Sequence, residues 1–219
     1  MKRLRVIVTA SCLIAVVAMV PTPSGSAAPP VQAQSVAAAS TLAVITTIGV
    51  GSNPIGVAVD DVDDTVYVTN RGSDNVSVIN GRLGVLTDDT ITVGDGPQGV
   101  AVDQGDDTVY VTNYFSGNVS VINGRTGTVD DTITVGSNPI GVAVDQVDDT
   151  VYVTNRTSGT VSVINGRSLD DSVTIPVGSN PIRVAVNDGD DTVYVTNFDD
   201  STVSVINGRS LDDSVTIPV

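Results

Sequence analysis

Residues 65–70 read Thr-Val-Tyr-Val-Thr-Asn, and the same six residues return at 108–113, 150–155 and 192–197. The tyrosines at the centre of the phrase, Tyr67, Tyr110, Tyr152 and Tyr194, are spaced by 43, 42 and 42 residues. A fixed period of this size marks a repeat architecture, in which each unit buries its apolar face against the next. The period divides the chain into units 52–93, 94–135, 136–177 and 178–219. The first unit holds four short apolar or alternating runs: Ile55–Asp60, Thr65–Thr69, Val76–Ile79 and Thr90–Val93. Polar punctuation separates them at Asp61–Asp64, Arg71–Asp74 and Asn80-Gly81, where Asn-Gly predicts a tight reversal through positive φ.

Composition points the same way. The chain has 43 valines against 7 leucines, and all 25 of its acidic residues are aspartate. Valine is stiff at χ1 and favours extended backbone, whereas aspartate favours turns over helix interiors. A helical bundle is excluded. Four antiparallel strands in each repeat make the blade of a β-propeller, so the expected fold is all-β, with four four-stranded antiparallel blades. The first run, Gly56-Val57-Ala58-Val59, is small or apolar on both sides, which places Val57 between blades and suits a crowded ring centre.

The phrase Tyr67-Val68-Thr69-Asn70 and its copies at 110–113, 152–155 and 194–197 resemble the YVTN family of β-propeller repeats. So do the flanking Asn53-Pro54-Ile55-Gly56-Val57-Ala58-Val59-Asp60 and Val76-Ser77-Val78-Ile79-Asn80, and the likeness covers about residues 50–219. It implies a secreted or surface-layer propeller, often seven-bladed, in a family of diverse functions. Four units fall short of seven, so the expected ring is incomplete and open, or completed by oligomerisation. Residues 42–50 read as an extra fourth strand ahead of the first blade. An open arc exposes apolar sheet at both ends, which leads to an expectation of self-association through the terminal blades.

Lys2, Arg3 and Arg5 precede an uncharged run from Val6 to Val20, followed by Pro21, Pro23 and Gly25. This is the pattern of a signal peptide and processing region over 1–33, with 34–41 a flexible lead-in. The expected location is therefore secreted, extracellular or in the cell envelope, with no membrane insertion after cleavage. Beyond the leader stand seven arginines against 25 aspartates, with no lysine, histidine or cysteine. So acidic a surface repels phosphate, and nucleic acid is not an expected partner.

Alternating strand direction puts the loops before the first strand and between the second and third on one face, with the other loops opposite. Most aspartates, including Asp60, Asp61, Asp63 and Asp64, fall on the second face. They are read chiefly as turn formers that keep valine-rich strands soluble. No metal site or cofactor is expected, although clusters such as Asp60, Asp61, Asp63 and Asp64 offer the hard oxygens that Ca²⁺ prefers. The other face carries the variable loops, which open with Arg71, Tyr114-Phe115, Arg156 and Phe198. Such tips on a rigid scaffold are candidate binding residues, against a background of simple drift at exposed turns. Arg183 joins them as the departure from glycine at Gly56, Gly99 and Gly141, an anion holder if it faces a channel.

Without His, Cys, Glu or Lys in the repeats, Ser-His-Asp chemistry, Schiff bases and His-ligated zinc are unavailable, and the chain is expected not to be an enzyme. The expected function is a secreted, non-catalytic binding or interaction module whose partner, an unidentified protein or glycan, docks on the variable-loop face. A structural surface-layer or envelope component and an Asp-based, lactonase-like metal-dependent hydrolase are the alternatives.

Overall fold

The computed structural model describes residues 44–169, 172–210 and 214–218. The expected leader (1–33) and lead-in (34–41), with the first two residues of the expected extra strand, lie outside the described residues. Blade 1 consists of β1 (Pro54–Asp60), β2 (Thr65–Asn70), β3 (Asn75–Asn80) and β4 (Val85–Thr92). Blade 2 follows with β5 (Pro97–Asp103), β6 (Thr108–Asn113), β7 (Asn118–Asn123) and β8 (Thr128–Thr134). Blade 3 holds β9 (Pro139–Asp145), β10 (Thr150–Asn155), β11 (Thr160–Asn165) and β12 (Ser172–Pro176). Blade 4 holds β13 (Pro181–Asn187), β14 (Thr192–Asn197), β15 (Thr202–Asn207) and β16 (Ser214–Pro218). Each blade is one sheet in sequence order with every neighbouring pair antiparallel, and no helix occurs among the described residues. The array is an unclosed β-propeller.

The core lies between blades, because each sheet is apolar on both faces. Between blades 1 and 2, Tyr67, Val76 and Ile91 pack on Val102, Val109, Val111 and Ile122. Tyr110, Val119 and Ile133 meet Val144, Val151, Val153 and Ile164 at the next junction, and Tyr152, Val161 and Ile175 meet Val193, Val195 and Ile206 at the last. Each blade therefore has a leading face, given to the blade before it, and a trailing face, given to the blade after.

The turns depart from expectation in an instructive way. Gly81 is not the positive-φ residue of its hairpin; Gly84 is, at +61°. Gly81 serves close approach instead: a Cβ there would lie 2.7 Å from the Asp64 carbonyl oxygen, to which its amide donates. Asn80 contributes through its side chain, accepting the Leu83 amide at 2.9 Å. Positive φ falls on aspartate in the other hairpin, at Asp64, Asp107, Asp149 and Asp191. Asp130-Asp131 lies inside the outer strand β8 and not in a turn, where charge discourages pairing with another sheet edge.

Two further expectations are corrected. Residues 44–50 carry no strand assignment, since the expected fourth strand has no described sheet beside it to pair with. Val57 is 66% exposed, because it lies on the leading face of blade 1, which no described residue covers.

Candidate functional site

The expected grouping of loops holds. Arg71 and Gly72 donate their amides to Asn53 and Ser52, joining the loop before β1 to the loop after β2 on one face. On the other, the amide of Gly81 reaches Asp64. Asn70 and its copies do not satisfy backbone, as strand-end asparagines often do. The Asn70 amide nitrogen donates to Asn75 and Ser77, each at 2.8 Å, so it ties β2 to β3 beneath the variable loop.

On the variable-loop face, the Arg71 guanidinium lies 5.3 Å from the Phe115 ring centroid and 5.8 Å from that of Tyr114. The two rings meet edge-to-face at 5.1 Å. This cation–π contact crosses from blade 1 to blade 2, so the alternation of cation and aromatic at the loop tips has a physical use. The pattern continues by hydrogen bonds. Asn138 donates to the Tyr114 carbonyl at 3.1 Å, Arg156 donates through Nε to Asn180, and Asn180 donates to Asp199 at 3.0 Å. Phe198 stands apart, exposed at the far end.

Between the loops of blades 2, 3 and 4 these contacts frame a groove of about 630 Å³, walled by Tyr114, Arg156, Thr157, Ser158, Asn180 and Asp199. Hydroxyls, an amide, a guanidinium and a carboxylate converge there beside one aromatic ring. Two of the expected residues, Tyr114 and Arg156, are thus brought together; Arg71 and Phe115 support one wall, and Phe198 does not take part. Reading the loops alone missed Asn180, which comes from the segment before β13; its signal was the Ser-Asn-Pro that opens several repeats.

Arg183 stands elsewhere. It shares a cavity of about 270 Å³ with Gly56, Gly99 and Gly141, where the first strands of the blades converge. The position therefore faces the hub and not the rim. Its backbone amide donates to the Thr196 hydroxyl, and its side chain enters no ion pair among the described residues.

The acidic face is organised across the junctions. Carboxylate oxygens of Asp60, Asp63 and Asp107 lie within 4.8 Å of one another, as do those of Asp145, Asp148 and Asp191. Of the four aspartates expected to suit Ca²⁺, Asp60 and Asp63 are joined by Asp107 from the next blade. Asp61 and Asp64 point to other duties: the Asp61 amide donates to Gln104, and the Asp64 carboxylate pairs with Arg82 at 2.8 Å. Asp60, at 1% exposure, accepts the amides of Val62 and Asp63. Burial and the neighbouring Asp60 push the Asp107 carboxyl above the usual carboxylate range, with Arg125 opposing at 3.4 Å. Burial also raises Asp103. The Tyr67 hydroxyl, buried and next to Asp107, Asp60 and Asp63, is pushed up to about 12 and stays a donor. These carboxylates are the described residues best placed to hold a cation.

No family model matches the chain, and no curated protein matches it. Solved structures do. The hydrazine synthase of Kuenenia stuttgartiensis superposes with a TM-score of 0.68 at 20% identity, covering 80% of this chain and 53% of that one. Virginiamycin B lyase from Staphylococcus aureus gives 0.65 at 16% identity, covering 76% and 55%. A streptogramin B lyase gives 0.67 at 12%, covering 77% and 55%. The chain thus spans about half the length of the propeller proteins it matches, and identities this low show the fold alone.

These neighbours correct one expectation. The chain was expected not to be an enzyme because its repeats lack the usual catalytic side chains, yet a lyase and a synthase share its fold. A residue inventory does not exclude catalysis on this scaffold.

Proposed function

We propose that the chain is a secreted β-propeller binding module of the YVTN repeat type, which captures a polar ligand, a protein segment or a glycan, on its variable-loop face. The observation that carries this reading is the groove walled by Tyr114, Arg156, Thr157, Ser158, Asn180 and Asp199. Its lining offers donors and acceptors around one aromatic ring, the mixture that orients a polar ligand in a concave site. The residues belong to three blades, so the ligand would be read by the relative placement of repeats and not by one loop. The basic and apolar N-terminal stretch supports export, and the Thr-Val-Tyr-Val-Thr-Asn phrase supports the family.

The test is a glycan array and a panel of purified cell-envelope proteins, probed with the full chain and with a Tyr114→Ala/Asp199→Ala variant. Both residues sit at a loop surface, so the variant is expected to keep the wild-type melting temperature. Loss of a partner bound by the wild type, by about tenfold or more, supports the groove. Equal binding by the two proteins moves the site elsewhere.

A further inference from the structure

Gly56, Gly99 and Gly141 hold the same place in the first strands of blades 1, 2 and 3. A Cβ added at Gly141 would lie 2.6 Å from the carbonyl oxygen of Ile182 in the next blade. At Gly56 and Gly99 the carbonyls of Gln98 and Ile140 would be closer still. No side chain fits there, and glycine is what lets the two backbones touch. A threonine completes each seam. The hydroxyls of Thr69, Thr112 and Thr154 donate to those same carbonyls at 2.7, 2.8 and 3.0 Å, and each accepts the amide of its own blade's glycine at 2.8 Å.

Blade 4 keeps the threonine, Thr196, but has Arg183 at the glycine position. By the repeat, Ile55 is the residue whose carbonyl would meet that position if the first blade of a second copy docked as the internal blades do. Apolar content alone favours such docking: Val57 and Val59 are exposed on the leading face of blade 1, and Tyr194 and Ile217 on the trailing side of blade 4. We propose that Arg183 is a stop residue, whose Cβ fills the space an incoming carbonyl needs. The trailing face of blade 4 therefore rejects the first blade of a second copy, against the end-to-end association expected from the sequence. Such a residue makes the outer surface of a repeat unfit for that stacking.

Sedimentation velocity of the full chain over a concentration series reads the effect, with wild type, Val57→Asp, Arg183→Gly, Arg183→Ala and Arg183→Gly/Val57→Asp compared at equal concentrations. Arg183 and Val57 are both exposed, so each variant is expected to fold, and thermal melts check this. The glycine variant is expected to exceed the wild-type mass by about twofold or more at the highest concentration. Alanine is expected to match wild type, since its methyl group fills the same space, and Val57→Asp is expected to reverse the gain. A glycine variant of wild-type mass overturns the proposal. So does an alanine variant that grows as far as the glycine variant, which would assign the exclusion to charge, or growth of the wild type that Val57→Asp abolishes.

Discussion

Tyr110 and Tyr194 occupy the same place in the same six-residue phrase, yet one is wholly buried and the other is 43% exposed. The difference lies entirely in the next blade. Tyr110 packs against Val144, Val151 and Val153 and points its hydroxyl at the Gly166 carbonyl, while among the described residues no blade packs on Tyr194. A residue in a repeat array draws its stabilisation from its neighbour's sequence as much as from its own, which is why nearest-neighbour terms dominate such folds.

That contrast can be broken most severely with a charge. Val109→Asp places a carboxylate in the buried junction between blades 1 and 2 and is expected to abolish the cooperative melt, whereas Val57→Asp, on the open leading face, is expected to leave it nearly unchanged. Circular dichroism during heating checks both. A Val57→Asp chain that fails to fold would mean the leading face is covered.

Truncation is the next step down. Tyr110→Ala is expected to cost about 3–5 kcal/mol and Tyr194→Ala about 1 kcal/mol or less, read by urea unfolding. Equal costs would mean that the two environments are alike in solution.

The smallest effect is electrostatic and sharpens the comparison within the junctions. Burial and Asp60 raise the Asp107 carboxyl, so the folded state holds a proton to higher pH than the unfolded chain does. That contribution is fully present below the ordinary carboxylate range and is lost as pH rises through the raised value. Asp107→Asn is therefore expected to melt above wild type at neutral pH, with the gap closing on acidification. A gap that widens on acidification would reverse the sign.

The fold was legible because period-two patterning and turn residues are local signals, and four copies of Tyr67-Val68-Thr69-Asn70 repeated them. What crosses a junction was not. Asp63 and Asp107 stand 44 residues apart, and nothing near either announces the other. Gly56 reads as an unremarkable small residue until the Gln98 carbonyl is seen against it. The loop tips were half legible: their alternation of cation and aromatic was plain, but Arg71 is committed to the rings of the next blade and does not wait for a ligand. Asn180 lay outside the loops searched, since its blade brings it to the groove only after folding.

The acidic face also differs from one junction to the next. Gln104 reaches back to the Val59 carbonyl at 3.0 Å and receives the Asp61 amide at 3.0 Å; Gln146 does the same to Val102 and the Gln104 amide, at 3.0 and 2.8 Å. In the last unit that place belongs to Asp188, a carboxylate with no proton to offer a carbonyl. Among the described residues two junctions are clasped in this way and the third is not, so on pulling or warming the fourth blade is expected to detach first.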